Sequence, residues 1–357
     1  MTLSIDQTIS SRLKSLSVLA MIAILWLHGY AIIRTSEVSQ WNYAFETFLW
    51  RQLTTWAVPT FFIMSGFFFS WSYRDGYHAF LKKKTRQLLI PYLLWCLYSI
   101  LIVVPLTALN NHLAGAALLC RTPFEKGSFG LILNKIFAFT IHSPKANRTL
   151  WYLRDLMFIF AVGPLWSMLS TKLPAYVIGL VAIVFLCGAF SNTLPYLAIK
   201  YTSIGWFTLG LAIQKGDWLA FSPKPLWSGC CWIALAFLHS GLIPALTSCK
   251  WYVTASNSII GFSGALFFWS LTLPLQNQKT WQCLSKLLSA TFFIYCCHFP
   301  ICLWIKSIGR FLSHGNEFCI LATSLLTPFI TLLMCILLQR TSQKLSPKLT
   351  SLLSGGR

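Results

Sequence analysis

Acidic residues are scarce in this chain: Asp plus Glu number 8 against 28 Lys plus Arg in 357 residues. Charged residues together make up only 10%, where a soluble globular domain carries about 25%. A soluble domain is therefore excluded. Disorder is excluded as well, because 56% of the chain is hydrophobic, 16% is aromatic and the mean hydropathy is +0.65. The formal charge of +20 would suit nucleic acid, but the cations stand singly or in short clusters between long apolar runs, so no nucleic-acid partner is expected. No Gly/Ser linker and no repeat divides the sequence, which reads as one integral-membrane domain over 1–357. Its 12 cysteines include no CxxC pair and no Cys/His zinc spacing, so no metal is expected. Most of them lie in apolar runs, where a thiol packs as a small hydrophobe. Cys120 and Cys249 are the pair placed to meet on the outer side.

What is abundant is the long apolar segment. A helix needs about 20 mostly apolar residues to cross a bilayer. Segments of that kind fall at 13–33, 52–72, 87–109, 150–170, 175–191, 200–214, 226–247, 257–275, 284–305 and 317–338. The fold expected is all-α, a polytopic membrane bundle of about ten transmembrane helices. Segments 175–191 and 200–214 are short, which suits tilted, broken or re-entrant helices. The first segment follows Arg12 and Lys14 as a signal peptide would, but it lacks a small-residue cleavage site and reads as a retained helix. The Lys/Arg bias places both termini in the cytoplasm. An outer loop then spans 110–149, an inner loop, which carries the basic stretch, 73–86, and a cytoplasmic tail 339–357. Most of the charge is thus topology, and the bilayer is the first partner. The sequon Asn147-Arg148-Thr149 abuts a span, and no modification is expected there.

Ionisable residues inside spans are expensive and mark function by default. His28, His239 and His298 fall inside spans, Arg154 and Asp155 lie in the fourth, and Glu46 lies near the second. His28 sits ~22 Å from the cytoplasmic end of the first span at 1.5 Å per residue. A neutral imidazole there is either a general base or a core histidine bonded to a carbonyl. Lys82, Lys83, Lys84 and Arg86 precede the third span, where they suit either a phosphate-bearing ligand or the inner-surface charge rule. Ser65-Gly66, in a run of aromatics, first of all permits close helix packing. Trp151 and Tyr152 suit an interfacial belt. Arg154-Asp155, slightly deeper, is a snorkelling cation with its counterion or part of a site.

Taken in order, these pieces resemble the membrane-bound acyltransferase 3 family. SRLKSLSVLAMIAILWLHGY resembles its first helix with the active-site histidine, and FFIMSGFFFSW its Ser-Gly signature. LKKKTRQLLIPYLLW resembles its basic stretch, TLWYLRDL its Trp-x-Leu helix start, and ATFFIYCCHFPI its late helix ending in His-x-Pro. The resemblance implies an O-acyltransferase with no permanently bound cofactor, using acetyl-CoA or another acyl-CoA as donor. The implied acceptor is a hydroxyl of a surface carbohydrate or its lipid-linked precursor, and the implied location is a bacterial inner membrane. It further implies His28 as general base, with an acyl-His28 intermediate as the rival mechanism. Lys83, Lys84, Arg86 and Ser65 would hold the donor, and Trp151, Arg154 and Asp155 the acceptor. Ser65 or Arg154 would serve the oxyanion. Two places depart from the pattern: Ser17 and Lys14 stand where the family has Arg and Asp, and Lys83-x-x-Arg86 replaces Arg-x-x-Arg. A transporter or flippase, and a catalytically inactive scaffold, are the alternative readings.

Overall fold

The computed structural model describes residues 7–31, 39–112, 128–188, 193–194, 196–246, 250–275, 281 and 286–356. The Cys120 and Cys249 pair lies outside them, as does much of the 110–149 loop. Among the described residues there is no strand, only an isolated bridge between Thr193 and Lys200. Helix α1 (Gln7–Gly29) is followed by α2 (Gln40–Glu46), α3 (Ala57–Phe67), α4 (Phe69–Tyr73), α5 (Tyr77–Lys84), α6 (Ile90–His112) and α7 (Phe129–Phe137). Then come α8 (Trp151–Ala161), α9 (Gly163–Lys172), α10 (Ala175–Leu186), α11 (Tyr201–Gly216), α12 (Pro225–Leu246) and α13 (Lys250–Leu275). The chain closes with α14 (Thr291–Ser313), α15 (Glu317–Leu345) and α16 (Pro347–Leu353).

Among the described residues every apolar segment overlaps helix, but the expected count of ten crossings is not established. Among the described residues, 5 helices are long and apolar enough to cross a membrane, or 6 when the bent pair α8–α9 counts as one span. The shortfall has local causes. α3 gives way at Phe68, whose ψ of 0° leaves the helical range, and α4 restarts beyond it. α10 has 12 residues and stops before Gly188, which has a φ of +71°. The 65° bend between α8 and α9 follows from Pro164 in the first turn of α9, which lacks an amide and whose ring clashes with the preceding turn.

The basic stretch also differs from expectation. It is not a loop: α5 runs into a π turn at Thr85–Leu89 and straight on into α6. The wider turn accommodates Pro91, which cannot donate to an α-helical ladder. The tail, too, is docked. α16 packs on α6, and Trp95 Nε1 donates to the Leu353 carbonyl at 3.0 Å.

In a bilayer, helices gain little from hydrophobicity against each other and associate through close packing and polar contacts. Both devices are visible. α3 crosses α11 at Gly66 and Gly210, where added Cβ atoms would run into the carbonyls of Phe207 and Ile63. The Ser-Gly pair therefore splits its work, with Gly66 for the crossing and Ser65 left for the interior. The polar device is Arg12, which is buried. It stacks 3.6 Å over the Trp269 ring and donates to Thr272 Oγ1, Ser222 Oγ and the Trp269 carbonyl. α1 touches α3, α13, α14 and α15 and so lies at the centre of the bundle. Around it Trp56, Phe62, Trp95, Phe207 and Phe293 are fully buried. Leu180, Ile183, Phe237, Leu333 and Leu337 stay exposed on the outer helices, as a lipid-facing surface requires.

Candidate active site

A cavity of about 420 Å³ opens beside the first turns of α1. Its lining carries Lys14, Ser17, Lys84 and Gln87 from α1 and the α5–α6 junction, and Ser65, Tyr152 and Tyr295 from α3, α8 and α14. We call it the lysine cavity, since two ammonium groups line it and no carboxylate does. Lys84 lies 4.8 Å over the Phe160 ring and 3.5 Å from Ser72 Oγ. Helix phase decides which cations enter: Lys84, Gln87 and Leu88 face the cavity, whereas Lys82, Lys83 and Arg86 are exposed and outside its lining. Ser65 Oγ donates to the Phe61 carbonyl at 2.8 Å and lies 3.3 Å from the Tyr152 hydroxyl. Arg12 cannot reach the cavity, because its guanidinium is tied to α13. Lys14 and Ser17 do line it, one turn apart on α1.

His28 occupies the last turn of α1, half-buried, and makes no hydrogen bond among the described residues. Its ring centroid lies 5.2 Å from that of His298 and 5.3 Å from Phe299, edge to face. His298 is fully buried. Its Nδ1 is 2.7 Å from the Tyr295 carbonyl and 3.1 Å from that of Ile294. Both are acceptors, so Nδ1 carries the proton and Nε2 is left as an acceptor. Nε2 has no hydrogen-bond partner. Tyr295 lies 5.9 Å from His298 and 5.6 Å from Tyr152, centroid to centroid, and its hydroxyl donates to the Thr149 carbonyl. A chain of rings thus leads from the lysine cavity to His28, which is not itself among the cavity's lining. Just beyond His28, Lys306 and Arg310 donate to the Tyr30 and Ala31 carbonyls, at 3.2 and 3.0 Å. Cations suit the carbonyl end of a helix.

A second space of about 470 Å³, the tryptophan pocket, lies further along α3 and α8. Trp151, Trp206 and Phe62 give it aromatic walls, Thr254 and Asn257 a polar rim, and Lys200 its full charge. The two spaces share a wall. Phe61 and Tyr152 face the lysine cavity, whereas their neighbours Phe62 and Trp151 face the tryptophan pocket. Lys200 Nζ stands 4.2 Å over the Trp151 ring, and the His142 ring lies 5.1 Å from the same indole. Burial, then the Lys200 charge, pushes the His142 pKa down to about 4, so this imidazole is neutral near pH 7.

Arg154 and Asp155 stand behind this pocket and do not face it. All five N–H groups of Arg154 are engaged: Nε and Nη2 with Asp155 Oδ1, Nη1 with the Ala138 and Ile141 carbonyls, and Nη2 also with the Ala198 carbonyl. Asp155 Oδ2 accepts from Ser203 Oγ at 3.0 Å and from the Lys200 amide at 3.3 Å. The pair is buried, at 3% and 0% side-chain exposure. Every Arg154 N–H and both Asp155 oxygens are thus engaged within the protein, and neither side chain lines the two spaces. Asn147 is buried as well, its amide donating to Ser99 Oγ and the Cys296 carbonyl. It ties the incoming chain to α6 and α14 and is not presented for modification.

Of the residues expected in a site, the structure brings Lys84, Ser65 and the Trp151–Tyr152 turn together, and sets His28 behind Tyr295 and His298. Lys83 and Arg86 are not brought in. Sequence reasoning missed Lys14, Tyr295, Lys200 and His142, and assigned His298 no role. The His-x-Pro motif was the one available signal for His298. Among the described residues, no group of three His, Cys, Asp or Glu is placed to hold a metal.

Residues 13–338 match the family model described as an acyltransferase domain. The chain is also 24% identical over 375 residues to the succinoglycan biosynthesis protein ExoH of Rhizobium meliloti (strain 1021), across 99% of this chain and 94% of that one. No solved structure matches the chain.

Proposed function

This chain belongs to that acyltransferase family, and from this premise we propose that it moves an acetyl or other short acyl group from acyl-CoA to a hydroxyl of a carbohydrate. The membrane would be a bacterial inner membrane, with both termini cytoplasmic. The carrying observation is the pair of spaces on either side of one thin wall: a cation-bearing cavity where α1 begins, and an aromatic, polar pocket beyond it. In this reading the lysine cavity faces the cytoplasm and takes the donor, its phosphates near Lys14 and Lys84. The tryptophan pocket takes the acceptor. Support for a carbohydrate comes from the relative named for succinoglycan biosynthesis and from the aromatic walls, which offer flat apolar faces to a sugar ring.

His28 would accept the acceptor's hydroxyl proton as its oxygen attacks the thioester carbonyl. The C–S bond then breaks, and the imidazolium returns the proton to the departing thiolate. Such base catalysis is typically worth about 10²–10⁴-fold. Because His28 stands behind Tyr295 and His298, the proposal requires the thioester to pass Tyr295. Two spaces divided by a wall also suit a carrier, the rival reading. Purified protein in detergent with labelled acetyl-CoA separates the two, since a carrier needs a sealed gradient and an enzyme does not. Transfer or donor hydrolysis should occur and should fall by about 10²–10⁴-fold in His28→Ala, with the variant still folded by circular dichroism. Full activity in that variant would remove His28 from the mechanism.

A further inference from the structure

We propose that the tryptophan pocket binds an acidic carbohydrate, a sugar bearing a carboxylate or phosphate whose charge meets Lys200 Nζ. This rests on the reading of that pocket as the acceptor site. The argument is one of charge and satisfaction. Three full charges meet here: Arg154, Asp155 and Lys200. Arg154 and Asp155 cancel in a contact where Nε and Nη2 both donate to Oδ1, the latter at 2.7 Å, and Asp155's other oxygen is held by Ser203 and the Lys200 backbone amide. One positive charge is left over. It resides on the Lys200 ammonium, which makes no hydrogen bond or ion pair among the described residues and lies over the Trp151 ring, the one carboxylate that acts on it being Asp155, already held by Arg154.

No Asp or Glu lines the pocket. The other polar lining groups are hydroxyls, an amide and His142, all neutral. A half-buried ammonium whose one nearby carboxylate is already paired elsewhere is costly to keep out of water, and an anion delivered by a ligand offsets that cost. The walls specify what carries the anion. Trp151 and Trp206 are flat and apolar while Asn257 and Thr254 are polar, which suits a sugar ring with its hydroxyls. The placement is also built, because the Lys200 amide is bonded to Asp155 and its neighbour Ala198 to Arg154. The buried ion pair thus fixes the turn that carries the cation.

The test measures binding to the full-length protein in detergent and needs no donor. Two pairs of probes are compared on the wild type, Lys200→Met and Lys200→Arg: an oligogalacturonide with its carboxyl-reduced form, and glucose 6-phosphate with glucose. The expected result is about tenfold tighter binding of at least one acidic probe than of its neutral partner. That preference should vanish in Lys200→Met and persist in Lys200→Arg, and the pair that shows it identifies the anion. A structural role for Lys200 on Trp151 would lower both affinities of a pair alike. Equal affinities in both pairs for the wild type, or a preference that survives Lys200→Met, would overturn the proposal. A Lys200-dependent preference in a preparation inactive with every acyl-CoA would uphold this site and remove the enzyme reading. Equal affinities in an active preparation would remove this site alone.

Discussion

The lysine cavity and the tryptophan pocket share one wall and are charged by opposite means. In the lysine cavity the cations sit on helix faces, Lys14 on α1 and Lys84 at the α5–α6 junction, and no carboxylate is in the lining. In the tryptophan pocket a lone cation arrives on the turn before α11, held in place by a buried Arg154–Asp155 pair. The difference is one of tolerance. Cations on helix faces can move or be replaced singly, whereas a cation carried on a turn depends on the network that anchors the turn.

The sharpest way to break this contrast is Asp155→Asn. It leaves the Arg154 charge buried and unpaired, and loss of one partner of a buried pair costs about 3–5 kcal/mol. Thermal unfolding in detergent should shift down strongly, and binding in the tryptophan pocket should fail before donor binding does. A variant as stable as the wild type would show that the pair anchors nothing. A smaller effect separates the cations of the basic stretch. Lys84→Met should raise the KM for acyl-CoA about tenfold with kcat nearly unchanged, while Lys83→Met and Arg86→Met change neither. The reverse ranking would mean that the exposed face of α5, not the cavity, receives the donor.

The membrane fold was legible in the sequence because apolar runs are a local signal. The breaks were less so. Pro164 could be read directly, but the π turn that carries α5 into α6 depends on packing around Pro91. The candidate site was legible where one side chain stands out against its surroundings, as His28 does in an apolar run. The Arg154–Asp155 pair drew notice for the same reason, yet its role did not follow. Only the fold brings the Ala138, Ile141 and Ala198 carbonyls and Ser203 to those two side chains. Lys200 was invisible for the complementary reason: a lysine at the start of a short apolar segment looks like topology until Trp151, 49 positions earlier in the chain, is found beneath it. The Lys83-x-x-Arg86 motif brackets Lys84, and helix phase sets Lys84 in the cavity lining while Lys83 and Arg86 stay outside it.

The central claim is that donor and acceptor approach from opposite faces, the donor on the face carrying Lys14 and Lys84. Sealed vesicles of known orientation, supplied externally with labelled acetyl-CoA, which does not cross membranes, test it directly. Consumption only in vesicles that present the Lys84 face outward is the predicted result. Consumption in vesicles that present the Lys200 face would contradict it.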